Sequence, residues 1–319
     1  IMEEGTEFLQ RMQDGKEHKM PMFTSCCPGW VRFLKSQYPD MVGELSTAKS
    51  PQQMFGAVTK TYFAKKIGVD PKNIVCVSVM PCVAKKAEVD IPNINDAGAG
   101  KDVDYSITTR EICRMISADQ VDVAALPETD FDSPLGTGTG AAVIFGVTGG
   151  VMEAALRTVY ELVTGNELPF EKLHVTPIVG LDQVKTASIT IEETLPEYGH
   201  LKGVTVNVAV TSGLEGASML MKEVANGTSP YHFIEVMGCP GGCINGGGQP
   251  RCSEENYREK RARALYSEDE RKVLRKSHEN PDLMKLYGEW LGEPNGHLAH
   301  HLLHTHYVGR GKYNQLVEK

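Results

Sequence analysis

Tyr231-His-Phe-Ile-Glu-Val-Met-Gly-Cys-Pro-Gly-Gly-Cys-Ile-Asn-Gly-Gly-Gly-Gln-Pro250 is an apolar run that breaks into a glycine-rich loop carrying Cys239 and Cys243. The run Tyr231 to Met237 reads as a buried strand, and the loop begins where that strand ends. Two other segments share this plan. Met20-Pro-Met-Phe-Thr24 leads into Thr24-Ser-Cys-Cys-Pro-Gly-Trp30, and Ile74-Val-Cys-Val-Ser-Val-Met80 leads into Val79-Met-Pro-Cys-Val-Ala-Lys85. In open α/β sheets, ligands gather beyond the carboxyl ends of strands. Three cysteine loops distant in sequence can therefore meet at one point.

What would meet there is a set of thiolates. Cys27, Cys82, Cys239 and Cys243 match the number that a cubane 4Fe–4S cluster requires. Gly241, Gly242 and Gly246 to Gly248 let backbone N–H groups approach sulfur or anionic ligands, and such dipoles raise a reduction potential. Spacing alone leaves a zinc half-site or a redox pair open for Cys239 and Cys243. Zinc would want two further tight ligands, and the spacing is not Cys-x-x-Cys. Cys76 and Cys113 fall within regular elements and read as buried apolar fillers. Cys252 has no assigned role.

Working outward, Ile1 to about Met12 reads as an amphipathic helix. Pro28 can open a helix carrying Val31, Phe33 and Leu34. Ser50-Pro51 is an N-cap and first-turn pair for a helix stopping at Gly68. The run Ile74 to Met80 suggests a strand covered on both faces. Tyr105 to Thr108 is a short strand, and Thr108-x-x-Glu111 a capping box. Glycines from Gly136 to Gly150 precede a helix from Val151 to Thr164, closed by Gly165. Val204 to Val210 is another strand, separated from Tyr231 to Met237 by a helix. Ser188 to Ile191 can add a hairpin strand. Alternating strands and helices make the fold class α/β. Residues 1–250 form the core, and residues 251–319, charged and without strand signals, form a helical C-terminal wrap.

The 319 residues suffice for one two-lobed domain, with the composition of a soluble globular protein. No apolar run reaches the roughly 20 residues of a membrane helix. The net charge of −8 argues against general nucleic-acid binding. Eight cysteines in a chain this large do not form a disulfide framework. The chain opens at Ile1, so a fragment or processed chain is expected, and any targeting segment upstream would be invisible.

In order and separation, the three cysteine segments closely resemble the signature motifs of FeFe-hydrogenases. The resemblance continues through Ser50-Pro-Gln-Gln53, Ile144-Phe-Gly-Val-Thr-Gly-Gly-Val-Met-Glu-Ala-Ala-Leu156 and Arg275-Lys-Ser-His-Glu-Asn280. It implies two lobes with an H-cluster between them: a 4Fe–4S cubane joined through one cysteine to a di-iron unit bearing CO, cyanide and azadithiolate. It implies that Cys27, Cys82 and Cys239 hold the cubane, and that Cys243 holds it and bridges to the di-iron unit. Cys26 becomes the proton donor, and Lys85 the hydrogen-bond donor to cyanide. Gln52, Met80, Phe145 and Met237 become pocket-lining residues. Arg11 and Glu7 at the surface, then Ser46, Glu4 and Cys26, become a proton path. Read from spacing alone, Glu4, Glu7 and Arg11 form a solvated charged helix face. The histidines from His297 to His306 belong to a packing helix in the family, not to a catalytic metal site.

The implied reaction is reversible reduction of protons to dihydrogen, with electrons exchanged through ferredoxin or flavodoxin. Separate maturation enzymes would install the di-iron unit. Arg271 to Lys276 is a candidate basic patch for an acidic electron partner. Neither nucleic acid nor membrane is an expected partner. A cytoplasmic location is expected, with chloroplast or periplasm left open. The family's catalytic domain normally starts earlier, with a further strand, helix and covering loop, and often with ferredoxin-like domains upstream. Two rivals remain. One is a hydrogen sensor, which tends to lose the donor cysteine that Cys26 matches. The other is a non-catalytic iron–sulfur assembly relative, which keeps cubane ligands without the di-iron pocket.

Overall fold

The computed structural model describes residues 1–14 and 19–310. Its strands among these residues are β1 (Met22–Phe23), β2 (Val77–Met80), β3 (Tyr105–Thr108), β4 (Val184–Thr190), β5 (Thr205–Ser212) and β6 (Phe233–Met237). One sheet has the order β1-β6-β5-β4. It is parallel except for β4, which runs antiparallel to β5 as the hairpin expectation suggested, though over a longer stretch. A separate parallel pair, β2 and β3, forms the second lobe.

Side chains of β5 and β6 alternate between two cores, as the two-residue period of a strand requires. Phe233, Val208 and Val210 pack with Phe8, Met152 and Leu156. Ile234, Val236 and Ala209 pack with Trp30, Leu34 and Leu220. Helix α1 (Met2–Asp14) and the helix Gly150–Thr164 supply the first face. Helix α2 (Pro28–Gln37) and the helix Leu214–Ala225 supply the second. Cover on both faces explains why β6 reads as an uninterrupted apolar run.

β2 departs from the same expectation. Val75, Val77 and Val79 are 64%, 53% and 49% exposed. Among the described residues, β2 pairs only with β3, and this face of the pair carries no cover. Cys113, expected in a core, is exposed on the helix Thr109–Ala118, and Cys76 is half-buried.

Local signals otherwise worked largely as read. Pro28 opens α2, and Thr108 and Glu111 form the capping box. Gly165 ends its helix at φ 72°, a conformation glycine adopts without strain. Ser50 does precede helix α3 (Pro51–Val58), but it makes no cap bond, because its hydroxyl donates to Glu88 at 2.9 Å. From α3 the chain continues through a π-helical turn, Thr59–Phe63, to Ile67.

The C-terminal segment wraps the core as helices. Tyr287, Leu291, Leu302 and Leu303 pack with Met2, Ala57 and Val58. Residues 311–319 of that segment lie outside the described residues. Of the basic residues in the Arg271–Lys276 patch, Arg271 and Lys272 are exposed, while Arg275 and Lys276 turn inward. Lys276 is buried against Glu161, Glu167 and Glu279, and Arg275 binds Asp269.

A buried charge cluster joins this wrap to the core. The fully buried Arg157 donates to Glu153 at 2.6 Å and to Asp269 at 2.8 and 2.9 Å. Removing one member strands the others in low dielectric. Arg157→Met should lower unfolding free energy by about 3–5 kcal/mol, read from denaturant titration.

A second buried acid, Glu235 on β6, accepts the Gly149 and Met152 N–H groups at 2.7 Å each. It thereby holds the start of the helix Gly150–Thr164 against the sheet. Lys185 adds a tie from β4, donating to Thr148 O and Gly180 O. Burial pushes the Glu235 carboxyl up to about 7. The folded state then keeps a proton that the unfolded chain has released. Stability falls as pH climbs from the ordinary carboxylate range through about 7. Glu235→Gln should flatten that decline in a pH series of denaturation midpoints.

Candidate metal centre and proton relay

Cys27 sits at the N-cap of α2, where the chain turns from β1 into the helix. It makes no cap bond, and the Gly238 N–H, just past β6, points to its sulfur at 3.4 Å. Cys82 follows β2 and faces the N–H groups of Ala84 and Lys85, while Cys239 receives the Gly247 N–H. Cys243 opens a short turn after Gly242, whose φ is 96°. A Cβ on Gly242 would meet the Thr148 nitrogen at 2.6 Å, and one on Gly246 would meet Pro81 O at 2.2 Å. Those two glycines serve loop packing, whereas Gly247 serves sulfur as expected.

The four sulfurs lie within electrostatic reach of one another. Burial, then mutual repulsion, pushes Cys243 up to about 12, and Cys82 and Cys239 also rise. None of the four is in a disulfide. Crowding four thiols in a partly buried site favours a bound cation cluster that stabilises thiolates. The N–H groups aimed at three of the sulfurs fit an iron–sulfur cubane.

Beside the thiols lies a cavity of about 800 Å³. Cys26, Gln52, Met80, Lys85, Phe145 and Met237 all line it, as does Cys243. Every residue expected to form the di-iron pocket is thus brought to one cavity. Lys85 is buried, its ammonium donating to Cys26 O at 3.0 Å and to Glu88 at 2.8 Å.

The charged face of α1 is not solvated. Glu4, Glu7 and Arg11 are all buried, which also corrects the placement of Glu7 and Arg11 at the surface. Arg11 donates to Glu7 at 2.6 Å and to the carbonyls of Lys19, Gly43 and Leu45. Glu7 accepts the Ser46 hydroxyl at 2.9 Å and the Thr47 N–H at 2.9 Å. Ser46 also contacts Glu4, and Glu4 lies within electrostatic reach of Cys26. Burial raises the Glu4 carboxyl to about 7, a value suited to passing protons near neutrality. Arg11, Glu7, Ser46 and Glu4 thus form one buried series of contacts that ends within electrostatic reach of the Cys26 thiol.

His304 is buried, with Nε2 bound to Glu3 and Nδ1 to Thr47 Oγ1, so both nitrogens are engaged. Glu153, His174 and Asp269 also converge, but Arg157 occupies their centre. Glu3, Glu88 and Glu235 were missed by sequence reasoning. Only Glu88 left a signal, the i,i+3 spacing from Lys85.

Comparison with known proteins agrees with this geometry. The family described as iron only hydrogenase large subunit, C-terminal domain, matches residues 1–247, and iron hydrogenase small subunit matches residues 254–310. The chain is 49% identical over 317 residues to the NADP-reducing hydrogenase subunit HndD of Solidesulfovibrio fructosivorans, covering 97% of this chain and 52% of that protein. It is 31% identical over 323 residues to the cytosolic Fe-S cluster assembly factor narfl of Xenopus tropicalis, covering 98% and 65%. A solved variant of FeFe-hydrogenase HydA1 from Chlamydomonas reinhardtii superposes with a TM-score of 0.85 at 42% identity, covering 97% and 82%. The chain spans about half the length of the hydrogenases it matches. With the large-subunit family matching residues 1–247 and the relatives matching nearly the whole chain, the chain belongs to the FeFe-hydrogenase family and carries its catalytic domain.

Proposed function

We propose that the protein interconverts protons and dihydrogen at an H-cluster, a 4Fe–4S cubane linked to a di-iron unit with CO, cyanide and azadithiolate ligands. One observation carries the reading: the Cys27, Cys82, Cys239 and Cys243 thiols meet beside a cavity lined by Cys26, Lys85, Met80 and Met237. Cys27, Cys82 and Cys239 would hold the cubane, and Cys243 would hold it and bridge to the di-iron unit. When bound, the group supplies electrons and an open iron site.

This chain's residues do the rest. Glu7, Ser46 and Glu4 hand protons inward, and Cys26 presents its S–H to the cavity. Met80, Met237 and Phe145 exclude water, so that it does not compete for the site. Lys85 offers a cationic donor to an anionic ligand. Electrons are exchanged with ferredoxin or flavodoxin, and separate maturation enzymes supply the di-iron unit.

The likeness to a cytosolic assembly factor favours a second reading, an iron–sulfur protein without hydrogen chemistry. The intact Cys26, Lys85, Met80 and Met237 set speaks against it. Infrared spectra of the full-length protein, matured anaerobically with a synthetic di-iron unit, separate the two. Bands in the CO and cyanide region that shift under hydrogen are the expected result. A protein that holds iron and sulfide but never gives such bands would sink the hydrogenase reading.

Cys26→Ala should keep those bands while turnover falls about 100-fold or more, the usual scale for removing a positioned proton donor. Full turnover in that variant would break the proposed path.

A further inference from the structure

Glu88 has no part in the cysteine set or the relay, yet it is buried against Lys85 and Gln52, which line the cavity. It ends the single helical turn Lys85–Glu88 that follows the Cys82 loop. Its carboxylate receives three side chains. The Lys85 ammonium approaches at 2.8 and 3.1 Å, the Ser50 hydroxyl at 2.9 Å and the Gln52 amide at 3.0 Å. Lys85 and Gln52 are the two nitrogen donors among the expected pocket residues. One acid therefore gathers both.

We propose that Glu88 is a positioning residue that fixes the Lys85 ammonium at the cavity wall, an inference that rests on the H-cluster reading for its chemical purpose. A lysine ammonium is a compact charge on a flexible stem, with three N–H donors. Left alone, it would sample many rotamers and turn toward water. Here Glu88 and the Cys26 carbonyl, at 3.0 Å, hold it from two directions. With one N–H on the Cys26 carbonyl and one shared between the two Glu88 oxygens, the third is left for an anionic ligand in the cavity. The carboxylate also balances the lysine's charge, so the wall is directional without being strongly cationic.

The surroundings support a purpose beyond helix capping. Ser50 stands at the N-cap position of α3, yet gives its hydroxyl to Glu88 instead of to its own helix. Gln52, in the first turn of that helix, donates to Glu88 and to Lys85 O, while its oxygen accepts the Ser78 hydroxyl of β2 at 2.6 Å. Glu88 thereby ties the lysine to both α3 and β2. A carboxylate serving only the helix would need neither Lys85 nor Gln52.

The test uses E88Q, which keeps the shape and one acceptor oxygen but removes the charge. Acetylation of the cluster-free protein with acetic anhydride, followed by peptide mass spectrometry, reads Lys85 directly. Its rate relative to a surface lysine should rise about tenfold, the factor expected when one charge-assisted hydrogen bond is lost. An unchanged rate overturns the proposal, whatever the cluster proves to be. In the matured full-length protein, the cyanide bands of E88Q should shift. In a Lys85→Ala background the same substitution should add no further shift, because the acid acts through the lysine. Wild-type bands in E88Q, or an equal shift in both backgrounds, overturn the cofactor-facing role. If E88Q does not fold, E88D retains the charge on a shorter arm. It should show the same two changes at smaller size, and wild-type behaviour in it counts against the proposal.

Discussion

The parallel pairing of β1 with β6 is the constraint on which the site depends. Met22 lies opposite Phe233 and Phe23 opposite Ile234, so the two strands leave the sheet at the same edge. Cys27 and Cys239 become neighbours for that reason. Cys82 arrives from the other lobe, and its position depends on the loop after β6. There the Gly248 N–H donates to Pro81 O at 2.8 Å, and Gly248 O accepts the Arg110 N–H at 2.9 Å. The cysteine loop is thus also the clamp between the two sheets.

Around that clamp, charge is handled by pairing inside the protein. Arg11 fills the hollow beside Glu7, and Arg157 fills the hollow between Glu153 and Asp269. Buried ion pairs of this kind add little net stability, but breaking one is expensive. Their effect here is to fix geometry. The acids of α1 are held where a relay needs them, and the C-terminal wrap is held against the helix Gly150–Thr164. His304 extends the same logic, joining the last described helix to Glu3 on α1 and to Thr47 beside the relay.

Much of this was legible in the sequence because its causes are local. Strand period, proline in a first turn, a capping box and glycine at a helix end act within a few residues, and each appears where it was read. The cysteine loops were legible because each sits at a strand end. What escaped depends on partners far along the chain. Glu235 meets a backbone N–H group 86 residues away, and Glu88 takes Ser50 from its cap across 38 residues. The exposure of Val75, Val77 and Val79 is equally non-local. An apolar run records what a strand can bury, while its neighbours in space decide what it does bury. The burial of Glu4, Glu7 and Arg11 overrode a helix pattern that alone reads as solvated.

The contact between Gly238 and Cys27 spans 211 residues. At a ribosomal pace of 5–20 residues per second, about 10–40 s separates the synthesis of these two positions. Throughout that interval the first thiol is an uncommitted nucleophile on an unfinished chain. Capture of a cluster by all four thiols must therefore wait until the loop after β6 has been made and has folded against β1, and until then the nascent protein depends on its surroundings to keep Cys26 and Cys27 reduced.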